Sequence, residues 1–94
     1  MYNTIKEIKD ANKDLGQHWF NKATMSYFNS RIVSGVIMGQ YFITSEENNY
    51  CDEKKKYTAR IALPDGSIDT IGQFYALESI KDAKKAIVSH SLTK

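Results

Sequence analysis

The sequence predicts a small α+β domain, in which a four-stranded antiparallel β-meander is accompanied by two N-terminal helices and one C-terminal helix. In residues 57–63, Tyr57, Ala59, Ile61 and Leu63 alternate with Thr58, Arg60 and Ala62, which is the period of a half-buried strand. The segment Leu63-Pro64-Asp65-Gly66 has the proline and glycine of a tight turn. A basic helix is predicted to begin after Ser79. Consecutive strands joined by short turns form a meander, and we expect the helices to pack on one face of it.

The N-terminal part of the chain carries the start and stop signals of two helices. Thr4 and Glu7 have the spacing of a capping box, and Gly16 supplies a C-terminal stop for the first helix. The apolar face of this helix is predicted to contain Ile5, Ile8 and Leu15. Asn21 is a plausible N-cap for the second helix, which is predicted over about residues 22–29.

Three strands are predicted in the middle of the chain. Residues 32–38 are rich in β-branched side chains and predict the first strand. The turn after this strand is predicted at Met38-Gly39-Gln40. Residues 41–44 predict the returning strand. A polar, charged loop over residues 46–56 then leads to the third strand, over residues 57–63.

The remaining elements are a fourth strand and the C-terminal helix. The fourth strand is predicted over residues 67–75, where Gly72 indicates a bulge or a close approach of another backbone. Ser79 and Asp82 have capping-box spacing at the start of the last helix. The helix is predicted to bury Ile80, Ala83 and Ile87. The side away from them carries Lys81, Lys84 and Lys85.

Length and composition predict one domain over residues 1–94, without a second core. The hydrophobic fraction of 41% is that of a globular fold, and the net charge of +2 is too small to indicate nucleic-acid binding by itself. The single cysteine, Cys51, excludes an internal disulfide and favours a reducing compartment. We find no signal-peptide pattern and no stretch able to cross a bilayer, so a cytoplasmic location without membrane contact is expected.

The sequence contains no recognisable catalytic or metal-binding constellation. The histidines are His18 and His90, and neither has a carboxylate or serine at a spacing that suggests a triad. Cysteine and histidine pairs at metal-ligand spacing are absent, and no glycine-rich phosphate loop follows a predicted strand. These observations predict a protein that is not an enzyme and needs neither a metal nor a cofactor.

A nucleic-acid-binding function is one alternative. Residues 57–86, with two strands and a lysine-bearing helix start, resemble the last third of a double-stranded-RNA-binding domain, in which such lysines contact phosphates. The first-helix pattern and the loop histidine of that family are not found here. On this alternative, the phosphate contacts would come from Lys81, Lys84, Lys85 and the cluster Lys54, Lys55 and Lys56.

A second resemblance covers about residues 15–88. It is carried by aromatic anchors, strand residues and a turn, namely His18-Trp19-Phe20, Thr24-Met25, Phe28, Ser30-Arg31, Phe42-Ile43-Thr44-Ser45-Glu46, Tyr57-Thr58-Ala59-Arg60, residues 65–72 and Phe74. Together these residues resemble a family of small uncharacterised proteins of bacteriophages and other mobile elements. The resemblance supplies no active site. It implies a phage setting in a bacterial cytoplasm, where small proteins of this kind, such as anti-CRISPR proteins, often act by occupying a host protein.

The leading functional hypothesis is therefore a non-enzymatic interaction protein, which inhibits a bacterial defence effector of the CRISPR type by steric occlusion. The expected partner is a host protein or a ribonucleoprotein. The predicted contact residues lie in or beside the charged loop, or at strand positions expected to face solvent. They are Arg31, Tyr41, Tyr50, Lys54, Lys55, Lys56 and Arg60. A homodimer that pairs through an exposed strand edge, such as that of the first strand, is a further possibility.

Overall fold

The fold, described by a computed structural model for residues 1–27, 29–47, 55–72 and 76–93, is of the predicted α+β class. Three helices and four strands lie along this part of the chain. In chain order they are α1 (Ile5–Leu15), α2 (Lys22–Tyr27), β1 (Arg31–Ile32), β2 (Tyr41–Glu46), β3 (Lys56–Ala62), β4 (Ile68–Ile71) and α3 (Ile80–Leu92). The prediction of two N-terminal helices, a four-stranded sheet and a C-terminal helix is therefore confirmed.

The sheet is an antiparallel meander with the strand order β1-β2-β3-β4. Tyr41 of β2 lies opposite Ile61 of β3, and Ala62 lies opposite Ile68 of β4. Because side chains alternate along a strand, this register separates the residues of β2 and β3 into two sets on opposite faces.

The first strand is much shorter than the predicted 32–38. It contains only Arg31 and Ile32, and an isolated bridge joins Ile37 to Tyr41 at the hairpin. Between them, the Ser34 hydroxyl oxygen accepts a hydrogen bond from the Ile43 N–H at 2.9 Å. A serine side chain thus takes the place of a backbone partner, and the strand ladder is interrupted there.

The predicted starts of α1 and α2 and the predicted end of α1 are confirmed. Thr4 and Glu7 form both halves of a capping box, and Gly16 ends α1 in the left-handed conformation with φ +88°. The Asn21 side chain accepts the Thr24 N–H at 2.7 Å at the start of α2. This helix ends at Tyr27 rather than near 29, since Asn29 has a left-handed φ of +51°.

The tight turn between β3 and β4 is confirmed. Gly66 has a φ of +96°, and its N–H donates to the Leu63 carbonyl oxygen at 2.9 Å. A Cβ added to Gly66 would lie 2.6 Å from the carbonyl carbon of Ala11, so only glycine lets α1 approach the turn. Gly72 lies just after β4, and no atom of the described residues lies within 4 Å of an added Cβ, so the predicted close approach is not found in this part of the chain. The predicted residues 73–75 of the fourth strand lie outside the described residues.

Helix α1 buries a polar residue at the centre of its contact with this turn. Asn12 is fully buried; its Nδ2 donates to the Gly66 carbonyl oxygen at 2.9 Å and its Oδ1 accepts the Trp19 N–H at 2.8 Å. Leu15, which was predicted to be part of the buried face, is 46% exposed. The buried stripe of α1 therefore continues from Ile8 to Asn12 and leaves Leu15 at its margin.

Helices cover both faces of the sheet, so the prediction that they pack on one face is wrong. On the α3 side, a buried cluster contains Tyr41, Ile43, Ala59, Ile61, Ala83 and Ile87. On the α1 side, another contains Ile8, Phe42, Ala62 and Ile68, with Trp19 and Phe20 against it. The consequence is that β2 is buried at all six of its positions, although Thr44, Ser45 and Glu46 in its second half are polar.

Helix α3 runs along the sheet in the direction of β3. The Ser79 hydroxyl caps its start by accepting the Asp82 N–H at 3.1 Å. Just before this cap, Leu77 pairs with Tyr57 near the start of β3. Close to the other end of the helix, His90 Nδ1 lies 3.0 Å from the hydroxyl of Tyr41. These contacts fix both ends of α3 on the sheet and determine which of its sides faces outward.

Candidate functional site

The outward side of α3 carries the three lysines of the predicted alternative site. Ala83 and Ile87 are fully buried against the sheet, so the helical period turns the opposite side to solvent. The exposed side contains Lys81, Lys84, Lys85, Val88, Ser89 and Leu92, and we call this set the α3 outer face. The structure thus brings the three lysines together on one surface.

Two exposed aliphatic side chains continue this surface toward the C-terminal end of α3. Val88 is 49% exposed and Leu92 is 79% exposed. At 3.6 residues per turn, positions 81, 85, 88 and 92 form one stripe along the helix. An open groove of about 500 Å³ lies among the side chains of the α3 outer face. The surface therefore changes along its length from cationic to apolar.

The charge of this surface has one sign. Its six lining residues include three lysines and no carboxylate. Asp82 is also exposed on α3, but it does not line the groove and lies in the first turn, where the helix dipole favours a negative charge. A stripe that joins several lysines to exposed aliphatic groups suits an acidic ligand with apolar parts.

The predicted contact residues near the charged loop are only partly brought together. Arg31 is exposed on β1, opposite Ser45. Lys55 is exposed and forms an ion pair with Glu47 at 3.4 Å, while Lys56 is half-buried on β3. The other two predicted residues of this region, Tyr50 and Lys54, lie outside the described residues.

Two of the predicted contact residues do not face solvent. Tyr41 is 1% exposed and packs on the α3 side; Arg60 is 6% exposed and lies on the opposite face. The expectation of solvent exposure was wrong because it assumed a sheet with one open face. With helices on both sides, β2 is buried along its whole length and β3 is buried from Thr58 onward.

Arg60 belongs to a buried polar cluster on the α1 side of the sheet. Its Nη2 lies 3.7 Å from Glu46 Oε2, and its Nε and Nη1 donate to the hydroxyls of Thr44 and Thr70 at 3.2 and 2.6 Å. The Trp19 ring lies 5.1 Å from the guanidinium carbon. Burial lowers the pKa of Arg60, and the attraction of Glu46 opposes this shift.

Glu46 completes this cluster from β2. It is 1% exposed and accepts hydrogen bonds from the hydroxyls of Thr58 and Ser30. A buried charge is tolerated when it is paired and hydrogen-bonded, and these contacts meet that condition. The cluster is closed to solvent, so we assign it to the stability and the register of the sheet rather than to ligand binding.

A smaller opening lies between α2 and β1. It has a volume of about 220 Å³ and is lined by Lys22, Met25, Ser26, Asn29, Ser30 and Arg31. This opening includes Arg31 of the predicted contact set. Because Ser30 already donates to buried Glu46, one wall of the opening is tied to the interior of the sheet.

Val88, Ser89 and Leu92 are the surface residues that the sequence prediction left out. The signal for them is present in the sequence, since 85, 88 and 92 have the i, i+3 and i+7 spacing of one helix face. The pattern alone does not distinguish a second buried stripe from an exposed one. The positions of Ala83 and Ile87 in the core make that distinction.

The described residues hold no group of three or more histidine, cysteine, aspartate or glutamate side chains arranged to bind a metal ion. In the same part of the chain, no helix combines the length and the apolar character that crossing a bilayer requires. His90, one of the two histidines, is engaged with Tyr41 at the end of α3.

The chain belongs to DUF7447, a family of unknown function, whose match extends over residues 4–88. This range takes in both N-terminal helices, the whole sheet and α3 as far as Val88. No curated protein and no solved structure matches the chain. The α3 outer face therefore has to be interpreted from its own chemistry.

Proposed function

We propose that this member of the DUF7447 family is a non-enzymatic interaction protein, which binds an acidic surface of a partner protein through the α3 outer face. The observation that carries the proposal is the exposure of Val88 and Leu92 in line with the lysines. Lysines alone would suit a phosphate backbone equally well. Aliphatic side chains stabilise a complex when the interface buries them away from water. This requires an apolar surface on the partner.

The mechanism that follows from this proposal is occlusion. A bound domain covers the partner surface under it and excludes other ligands from that surface. Interfaces of ordinary size bury roughly 800 Å² on each partner, so α3 supplies the centre of the contact and neighbouring residues its rim. The resemblance to phage proteins makes a bacterial defence effector the predicted target, in the cytoplasm of the host.

The test is a pull-down from bacterial lysate with the tagged full chain, carried out with and without nuclease and read by mass spectrometry. We expect one protein to be retained after nuclease treatment. Leu92→Ser and the double variant Lys84→Glu/Lys85→Glu should each reduce its recovery at least tenfold. A matched control is Lys6→Glu/Lys13→Glu, which makes the same change of net charge on exposed positions of α1 and should leave recovery unchanged.

Direct nucleic-acid binding is the second candidate, and the assembly of Lys81, Lys84 and Lys85 on one surface favours it. Recovery of nucleic acid that is lost on nuclease treatment would support this function against the first. Its affinity should fall steeply with salt, because each neutralised phosphate releases counterions. The Leu92→Ser variant separates the two functions, since removal of an aliphatic side chain should leave binding to a phosphate backbone unchanged.

A further inference from the structure

The edges of the sheet restrict how a partner segment can bind this protein. In the register of β3 and β4, the N–H groups of Ile68 and Thr70 point away from the sheet. The first donates to Gln17 Oε1 at 3.0 Å and the second to Asp69 Oδ1 at 2.8 Å. An added strand would have to displace both side chains before it could pair with β4.

The opposite edge offers little more to an extended segment. Strand β1 has only two residues, Arg31 and Ile32, and a short edge is a poor template for strand addition. Neither edge of the sheet is therefore well suited to take up an extended peptide. Strand addition is therefore disfavoured, and the exposed side of α3 can instead be considered for packing of a helix, another common mode of peptide recognition.

The α3 outer face has the form that helix packing uses. Its side chains lie at i, i+3, i+4 and i+7 spacing, which produces ridges and grooves that accept the ridges of another helix. From Lys81 to Leu92 the stripe is about 16 Å long, given the rise of about 1.5 Å per residue. A partner helix of about three turns would cover this length.

We infer that the partner presents an amphipathic α-helix, whose contacting side places acidic residues against Lys81, Lys84 and Lys85 and apolar residues against Val88 and Leu92. The inference rests on the proposed function and names the structural element that the site recognises. Charge complementarity supports it, because the lining of the groove contains three cations and no acidic side chain. The apolar half supplies the desolvated contacts that anchor an interface.

The experiment is a selection from a library of random 18-residue peptides displayed on ribosomes, with the folded full chain as the target. Enriched peptides should combine acidic residues with apolar residues at i, i+3, i+4 and i+7 spacing. A synthetic peptide of this kind should become helical on binding, by circular dichroism. A central proline should weaken its binding at least tenfold, measured by fluorescence anisotropy.

Charge exchange makes the test specific for the α3 outer face. Lys84→Glu/Lys85→Glu should weaken binding of the enriched peptide at least tenfold. Replacement of the acidic residues of the peptide by lysine should restore binding to that variant only. Enrichment of peptides with period-two alternation would overturn the inference, as would equal binding to the wild-type chain and the double variant. A selection without any enriched pattern would also overturn it.

The outcomes separate failure of this inference from failure of the proposed function. If a cellular partner depends on Lys84, Lys85 and Leu92 but the selected peptides are not helical, the partner uses a different element and the proposed function stands. If substitutions on the α3 outer face leave recovery of the partner unchanged, the proposed function fails and the inference fails with it.

Discussion

The two faces of the sheet use the same strands and are both covered by helices, yet they bury different chemistry. On the α3 side, the cluster around Ile43, Ile61 and Ile87 is apolar. On the α1 side, apolar packing around Phe42 lies beside a buried polar cluster with Glu46 and Arg60 at its centre. Both arrangements exclude water, but the second also contains a buried ion pair between Arg60 and Glu46.

This difference shows what alternation of polarity along a strand does and does not indicate. In β3, Ala59 and Ile61 alternate with Thr58 and Arg60, a pattern typical of a strand with one wet face. Here the polar set is buried as well. Because hydroxyls, a guanidinium and a carboxylate bond to one another, the face can be covered without an unsatisfied polar group.

The largest expected effect comes from neutralising the buried carboxylate. Glu46→Gln keeps the size of the side chain but removes the negative charge that faces Arg60. Breaking a buried ion pair costs about 3–5 kcal/mol, so we expect a loss of that order in the free energy of unfolding. Urea unfolding followed by circular dichroism measures it.

The neighbouring residue supplies a matched control. Glu47 makes its ion pair with Lys55 at the surface, with half of its side chain exposed. Surface pairs contribute about 0–1 kcal/mol, so Glu47→Gln should stay within that range. Equal losses in the free energy of unfolding would mean that the charge of buried Glu46 contributes no more to stability than that of Glu47 at the surface. The contrast between the two faces would then disappear.

The sequence predicts best the features that depend on nearby residues. The Thr4 capping box, the stop at Gly16 and the turn at Gly66 each depend on partners within a few positions. Their backbone requirements are local, so the residue types identify them directly. The order of the strands also follows, because short turns between strands leave a meander as the simplest topology.

Features that depend on distant partners were missed. Asn12 looks like one more polar residue of an exposed helix, but its partners are at the β3–β4 turn and at Trp19. The shortened β1 depends on a hydrogen bond from Ile43 to the Ser34 side chain. Coverage of both sheet faces depends on where the helices pack. None of these contacts leaves a period or a motif in the sequence.

The candidate site shows the same division. Lysines on the exposed side of α3 follow from helical spacing once Ala83 and Ile87 are taken as core. Tyr41 and Arg60 were expected at the surface and are buried, since a strand pattern does not say how many faces are covered. The exposure of Leu92 likewise required the position of α3 on the sheet.

A smaller effect is expected for the polar contact at the end of the apolar face. The Tyr41 hydroxyl lies 3.0 Å from His90 Nδ1, and Tyr41→Phe removes this hydrogen bond while the ring stays in place. A typical hydrogen bond contributes about 0.5–1.5 kcal/mol, which is the loss expected in urea unfolding. In a His90→Ala background the same substitution should cost less, because the hydrogen bond to His90 is already absent. A loss as large as that of Glu46→Gln would mean that the polar contact on the α3 side contributes as much to stability as the buried ion pair on the α1 side.

The smallest effect is expected at the surface, where a carboxylate accepts a hydrogen bond from a hydroxyl, as Glu46 does in the buried cluster. The Ser67 hydroxyl donates to Asp65 Oδ1 at 2.6 Å, and this bond, with the Ser67 N–H, lowers the pKa of the fully exposed Asp65. Ser67→Ala should therefore raise the pKa of Asp65 toward its ordinary value, as NMR titration of the carboxyl carbon would measure.

A lowered pKa in the folded state stabilises the fold above the ordinary carboxyl pKa of about 4 and ceases to do so as the pH falls through the lowered value. Any difference in stability between wild type and Ser67→Ala that comes from this carboxylate should shrink as the pH falls through that window. An unchanged pKa in the variant would assign the shift to the Ser67 N–H alone, which Ser67→Ala retains.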